Sequence, residues 1–264
     1  MDTSDVESLV TYELRDVVAV IGLNRPDKRN AVSDRIIEAL GEAVDRATTE
    51  ARAGVIYGEG PHFCAGLDLG EHVEKPLIDS IAGSRRWHAI FERIERGRIP
   101  FVSALKGAVV GGGFELAAAT HLRVAEETAF FALPEGQRGI FVGGGGSVRI
   151  ARLIGAARMG DMMLTGRVLR AAEMERWGGV SYLVPEGEAL AKAVELARAT
   201  AGNAELSNYA IINALPRVQD MSSGDGLFLE SLMAALTSAT PEAEERLRAF
   251  LEKRAGKVRR PDDV

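Results

Sequence analysis

Phe101-Val102-Ser103-Ala104-Leu105-Lys106-Gly107-Ala108-Val109-Val110-Gly111-Gly112-Gly113-Phe114-Glu115-Leu116-Ala117 is the stretch on which the architecture turns. An apolar run ends, glycines follow, and a helix-forming segment begins over 113–120, so a strand passes through a tight turn into a helix. The first N–H groups of that helix have no intrahelical acceptor and lie where the helix dipole favours negative charge. Glycine lets backbone approach backbone or ligand closely. Glu115, in the first helical turn, points back into the same space. Taken alone, the segment reads as a close helix–sheet contact with a favourable first-turn carboxylate.

A second junction changes that reading. Pro61-His62-Phe63-Cys64-Ala65-Gly66-Leu67-Asp68-Leu69 follows the short apolar run 53–57 with another small-residue turn. Two strand-to-turn junctions on a parallel sheet lie at its carboxyl edge, where ligands bind. One N–H from each would make a two-donor oxyanion hole, and each such donor contributes about 3–4 kcal/mol where charge develops. The other glycine run, 143–146 before Ser147, belongs to no GxxxxGK[ST] or GxGxxG pattern, so it reads as a tight loop before a helix and not as a phosphate cradle.

Working outward, 11–15 and 17–23 form a hairpin candidate broken at Asp16. Helical spacing over 33–48 carries Ile36, Ile37, Leu40, Val44 and Ala47 on one side, with Ser33 as N-cap. A second helix over 80–96 carries Trp87, Ile90, Phe91 and Ile94, and strands are expected over 101–105, 122–125 and 129–133. Such alternation implies crossovers and a largely parallel α/β sheet. After about Gly143 the chain is expected to be helical (147–153, 156–164, 171–177, 188–201, 205–218, 226–237, 242–254), with 180–184 the one strand-like interruption. Residues 1–200 are therefore expected to hold an α/β core and 201–264 a helical region, with a frayed tail from Arg259.

Composition narrows the function. Of 264 residues, 46% are hydrophobic and 27% charged, as in an ordinary globular protein, and the net charge of −6 offers nucleic acid no basic footprint. One cysteine, Cys64, excludes an intrachain disulfide framework and a cysteine zinc site, and fits a reducing compartment. His62, His72, His88 and His121 show no HExxH or comparable spacing, so no metal is expected. The acidic start has no apolar signal-peptide core and no apolar run is long enough to span a membrane, so a cytoplasmic, non-membrane protein is expected.

Together the segments resemble the enoyl-CoA hydratase/isomerase (crotonase) superfamily. Phe63 to Leu69 is similar to its first oxyanion motif and Val110 to Leu116 to its second, which makes the backbone N–H groups of Leu67 and Gly112 the donors. Leu133-Pro134-Glu135 with Gly139 and the 143–147 run resembles its second catalytic-glutamate region, so Glu115 and Glu135 are the candidate catalytic carboxylates. Asn24-Arg25-Pro26-Asp27-Lys28-Arg29-Asn30-Ala31 resembles its coenzyme A loop, which implies Lys28 and Arg29 near the phosphates and Ala31, Ala65 and Asp68 around the adenine. Arg248 to Arg254 resembles its closing helix, from which Lys253 would reach the coenzyme A of an adjacent active site. The match spans roughly residues 10 to 255 with its landmarks in order.

The resemblance implies a crotonase-like spiral of strand–strand–helix repeats with a helical C-terminal trimerisation region, assembling as trimers or hexamers. It implies an acyl-CoA substrate, no further cofactor, and syn hydration of a trans-2-enoyl-CoA, because both glutamates are retained. Another crotonase-type reaction (isomerisation, C–C cleavage or thioester hydrolysis) is the alternative, followed by a non-catalytic coenzyme A- or RNA-binding homologue. Three positions depart from the family pattern: Val142 replaces a frequent proline, Lys106 a frequent asparagine and Ser238 an aromatic. Residues 70–86, which shape the acyl pocket, carry little familiar pattern. Trp87 reads as a core tryptophan, with stacking on an aromatic acyl group as the other reading, and His88 reads as a helix-surface histidine or a lyase or hydrolase participant.

Overall fold

The computed structural model describes residues 9–68, 70 and 76–254. The chain divides into two compact units, Met1–Gly202 and Asn203–Val264. The first opens with β1 (Val10–Arg15) and β2 (Val18–Leu23), an antiparallel hairpin whose turn uses Asp16 at φ 61°. Asp tolerates that left-handed conformation better than most residues. Helix α1 (Asp34–Glu50) leads to β3 (Ala53–Gly58), then α2 (Leu77–Glu95), β4 (Phe101–Leu105), β5 (Ala108–Val110) and α3 (Gly112–Ala119). β6 (Leu122–Glu126) and β7 (Phe130–Ala132) follow, then α4 (Gly146–Ile154), α5 (Ala156–Thr165), β8 (Leu169–Arg170), α6 (Ala171–Arg176), β9 (Tyr182–Val184) and α7 (Ala189–Ala201).

Successive strands enter a six-stranded sheet of order β1-β2-β3-β4-β6-β9, parallel from β2 onward. The chain then steps sideways into a three-stranded sheet, β5-β7-β8, before each returning helix. After β3 the sideways step is a single parallel bridge from Cys64 to Val109. Strand, short strand and helix recur in this way, and the spiral α/β fold is established by that recurrence.

Alternation along the strands explains the two cores. Val18, Val20, Val55, Val102 and Val124 face one side, where Ala189, Ala193 and Ala197 of α7 cover them. Ala19, Ile21, Leu23, Ile56 and Leu105 face the other side, with Leu40 and Val44 of α1 and Phe91 of α2. Each fully buried Leu, Ile or Phe contributes about 1.5–3 kcal/mol relative to exposure. Every residue of α3 is buried. Its two glycines and three alanines let neighbouring segments pack closely around Phe114, Glu115 and Leu116.

Several sequence expectations shift. The strand Ala108–Val110 lies inside what reads as a glycine turn. β8 and β9 show that 180–184 is not the only strand after Gly143, since β9 extends the large sheet and β8 closes the small one. Ser33 stands at the N-cap of α1 without a side-chain capping bond. α2 starts at Leu77, three residues earlier than 80.

The second unit is helical: α8 (Glu205–Asn213), α9 (Leu215–Val218), α10 (Ser223–Ser238) and α11 (Pro241–Leu251). The continuous helix expected over 205–218 is split, because Pro216 has no N–H and its ring clashes with the carbonyl four residues back. Ser222 and Thr240 cap the next two helices by accepting from the N–H of Asp225 and Ala243. Leu227, Phe228, Leu232, Leu247 and Phe250 are exposed. The tail from residue 255 lies outside the described residues.

Candidate active site

Two backbone turns meet at the carboxyl end of the large sheet. Val32 N–H donates to Gly66 O and Asp68 N–H donates to Val32 O, so the intervening Leu67 N–H is left without an acceptor among the described residues. Gly112, the first residue of α3, is likewise without one, as helix geometry requires at that position. A Cβ on Gly112 would lie 3.9 Å from Leu67 N, and one on Gly66 would lie 3.7 Å from Gly112 N, so the two amides share one small space. Gly66 (φ +92°) and Gly111 (φ +50°) make the approach possible. A side chain there would be strained in φ and would meet Val110 O or Glu135 Oε1 at 2.8 Å. Two such N–H groups can hold an oxygen on which negative charge develops.

Glu115 faces this space from the first turn of α3 and is 3% exposed. Its Oε1 accepts the N–H groups of Gly144 (2.8 Å) and Gly146 (2.7 Å). Burial pushes this carboxyl above the ordinary range, while the N–H groups of Gly146, Gly144 and Gly143 pull it back down. The glycine run at 143–146 therefore does form a cradle of N–H donors, and what it holds is the protein's own Glu115 carboxyl. The sequence signals the loop but not its partner, because the partner is 29 residues away.

Glu135 enters from the 3-10 turn that follows Pro134, 6% exposed, and its Oε2 is buried with no hydrogen-bond partner among the described residues. Burial chiefly, then the nearby charge of Glu115, raises its proton affinity, and Arg138 opposes this. An unpartnered buried carboxyl oxygen costs about 1–3 kcal/mol of stability. Such a cost is characteristic of a group kept for chemistry.

Glu115, Glu135, Gly112 and Leu67 line one cleft, so the structure brings the four expected catalytic positions together. Its outer wall is formed by Gly83, Ser84 and Trp87 of α2 facing Phe141 and Val142. Trp87 answers to the core reading. It is a core residue, edge-on to Phe91 at 6.1 Å, and its ring also lines the cleft. Its indole N–H donates to Asp34 Oδ1 at 2.9 Å, which fixes the ring plane. His88 is half-buried and its Nε2 lies 3.3 Å from Ser84 Oγ. Ser84 in turn donates to Gly143 O at 2.6 Å. Sequence reasoning singled out neither Ser84 nor Arg149, whose contacts with this loop are created only by the fold.

The expected coenzyme A residues are distributed unevenly. Lys28 and Arg29 are exposed on the 3-10 turn Pro26–Lys28, and Ala65 N–H donates to Arg29 O, which sets Ala31 and Ala65 on adjacent loops. Asp68 is engaged differently. Its Oδ2 pairs with Arg25 at 2.7 Å and its Oδ1 accepts Gly70 N–H, so its carboxylate braces the loop. Lys253 is exposed in the second unit, at φ 59° just after α11. Of the departures, Val142 lines the cleft, Lys106 contributes a backbone carbonyl to Phe63 N–H, and Ser238 bonds its own helix at Ala234 O. Among the described residues no cluster of three His, Cys, Asp or Glu could hold a metal, and no helix is long and apolar enough to cross a membrane. His72 lies outside the described residues, as does part of the 70–86 segment.

Cys64 sits beneath the first turn, fully buried, and burial pushes its thiol up to about 12. Thiol reagents at pH 8 are expected to leave it unmodified in the folded protein and to titrate one thiol after denaturation. Rapid labelling of the native chain would contradict the burial.

The enoyl-CoA hydratase/isomerase family model matches residues 13–259. Enoyl-CoA hydratase EchA19 of Mycobacterium tuberculosis is 33% identical over 248 residues, covering 92% of this chain and 93% of the relative. The 2,3-dehydroadipyl-CoA hydratase of Escherichia coli is 33% identical over 250 residues, 94% of this chain and 96% of its own. Among solved structures, a Rhodopseudomonas palustris protein provisionally named an enoyl-CoA hydratase superposes with TM-score 0.91 at 50% identity, covering 95% and 97% of the two chains. The enoyl-CoA hydratase of Bacillus anthracis superposes with TM-score 0.87 at 29% identity, covering 93% and 96%.

Proposed function

Because the chain belongs to the enoyl-CoA hydratase/isomerase family, we propose that it adds water syn across the double bond of a trans-2-enoyl-CoA, giving a 3-hydroxyacyl-CoA. The observation that carries this reading is two buried carboxyls, Glu115 and Glu135, in one cleft with the unpartnered amides of Leu67 and Gly112. The two amide N–H groups donate to the thioester oxygen as it gains negative charge. Glu115, with Oε1 held by the glycine loop, presents its other oxygen to a water and takes one of its protons as the water oxygen bonds Cβ. The π electrons move onto the thioester enolate, and protonated Glu135 delivers its proton to Cα as the enolate collapses. Exchange through solvent then returns the proton from Glu115 to Glu135. Two carboxyls in one low-dielectric site do not both ionise readily, which is the asymmetry an acid–base pair needs.

The substrate is an acyl-CoA and no further cofactor enters the reaction. Lys28 and Arg29 supply the positive charge for its phosphates. Ala31 and Ala65 leave room for the adenine, and Asp68 meets it through the loop it braces with Arg25. The exposed leucines and phenylalanines of the helical region 201–264 support self-association as a trimer or hexamer, with Lys253 directed to a neighbouring coenzyme A. We assign the protein to the cytoplasm, in keeping with its lone thiol.

Incubation with crotonyl-CoA, longer trans-2-enoyl-CoAs, a dicarboxylic enoyl-CoA and cinnamoyl-CoA is expected to give, from at least one of them, a product one water heavier by mass spectrometry. Release of free coenzyme A or of a shortened acyl-CoA as the sole product would overturn the hydration reading in favour of hydrolysis or C–C cleavage.

A further inference from the structure

One stripe of helix α2 grips the glycine loop that holds Glu115. Ser84, His88, Phe91 and Glu95 follow one another at helical spacing along one side of the helix. Ser84 Oγ donates to Gly143 O at 2.6 Å. A carbonyl accepts only, so the single hydroxyl proton is committed there, and the 3.3 Å contact with His88 Nε2 requires the imidazole to donate. Phe91 lies 3.0 Å from where a Cβ on Gly144 would stand, so its ring supports the loop from below. Glu95 Oε2 binds Arg149 Nε at 2.7 Å, and Arg149 Nη1 donates to Gly144 O at 3.0 Å. The Arg149–Glu95 pair is largely buried, with side chains 10% and 19% exposed.

These contacts act on single peptide units. The peptide that joins Gly143 to Gly144 accepts Ser84 at its oxygen and donates to Glu115 Oε1 at its nitrogen, 2.8 Å away. A hydrogen bond to the carbonyl polarises the peptide and strengthens its N–H as a donor. The line therefore runs His88 Nε2–H to Ser84 Oγ–H to Gly143 O, and from Gly144 N–H to the carboxylate. Arg149 pins the next carbonyl, so the loop cannot turn its N–H groups away. The charged and titratable groups around Glu115 are Glu135 across the cleft, His88 on α2, and the Arg149–Glu95 pair behind the loop.

We propose that Ser84, backed by His88, and Arg149, anchored by Glu95, are positioning residues that fix the 143–146 turn and keep its N–H donors aimed at Glu115. Stabilising the charged form of Glu115 leaves the proton on Glu135, the distribution that water addition requires. This assignment rests on the hydration reading for its catalytic consequence but not for its electrostatic one.

The test uses full-length Ser84→Ala and Arg149→Lys with two independent measurements. The first is infrared difference titration of the Glu115 carboxyl band, isolated by subtracting the spectrum of Glu115→Gln, and it needs no substrate. In Ser84→Ala the midpoint is expected to rise by about half a pH unit as the donor weakens. Arg149→Lys keeps a cation for Glu95 but cannot reach Gly144 O at the same time, and is expected to shift it in the same direction. The second measurement is kcat and KM for crotonyl-CoA against pH. The acid limb of kcat is expected to move with the infrared midpoint, lowering kcat by up to about threefold on that limb, with KM changed less than twofold.

An unmoved midpoint in both variants, with native circular dichroism, overturns the proposal, as does a change confined to KM, which would make Ser84 a substrate contact. If the wild type does not hydrate crotonyl-CoA while the midpoints shift, the positioning role stands and the hydration of that substrate falls.

Discussion

Glu135→Gln is expected to lower kcat for the hydrated enoyl-CoA by about 10²–10⁴-fold, the usual contribution of a positioned general acid or base. Gln keeps the shape of the side chain but has no proton to give to Cα at any pH. KM is expected to change little, because the oxyanion amides and the coenzyme A loops remain. Activity near the parental level would show that the two-carboxylate assignment is wrong. The same variant is expected to be more stable than the wild type at neutral pH. The native carboxyl is raised above its unfolded value of about 4.3 by burial, so the native state binds the proton more tightly than the unfolded chain does. The wild type therefore loses stability as pH rises from the unfolded value through the raised native one. Gln has no such dependence. Its advantage should be full above that window and vanish below it, which urea unfolding at pH 4 and pH 8 would measure.

Gly112→Pro is expected to cost at least about 10²–10³-fold in kcat/KM, the effect of removing one oxyanion donor with crowding by the ring added to it. Proline is tolerated in the first turn of a helix because the N–H it lacks has no intrahelical acceptor there, so α3 should persist. The ring δ-carbon would occupy the space in which the thioester oxygen sits. Gly112→Ala is the control that keeps the N–H. Its Cβ would meet Trp87 Cζ3 at 3.3 Å and Val32 Cγ2 at 3.4 Å, contacts that need only slight adjustment. Equal losses in the two variants would show that crowding, and not the donor, accounts for the effect.

Much of this was legible in the chain because it is local. The 101–117 stretch specifies strand, turn and helix through apolar periodicity and glycine alone, and the structure follows it closely, with α3 at Gly112–Ala119. The α1 helix and the β1–β2 hairpin are equally local, since 3.6-residue spacing and two short apolar runs broken at Asp16 need no partner to be recognised. Residues 108–110 were hidden because three residues between glycines carry too little pattern, and they become a strand only when β7 pairs with them. The break at Pro216 was readable in principle, since the missing N–H is a property of the residue itself, but helical periodicity over 205–218 masked it.

The sequence by itself determined a largely parallel α/β core and the two glycine turns, because each is specified by residue type over a short span, while the spiral and the pairing of Glu115 with Glu135 followed from the family resemblance of the motifs in order. Only the tertiary structure decided what holds those carboxylates. The 143–146 glycines donate to Glu115, Ser84 and Arg149 bond that loop, and among the described residues Glu135 Oε2 is the buried side-chain oxygen left without a partner. The physical reason is that hydrogen bonds and desolvation depend on distances between segments far apart in the chain, and those distances do not exist until the sheets have brought the segments together.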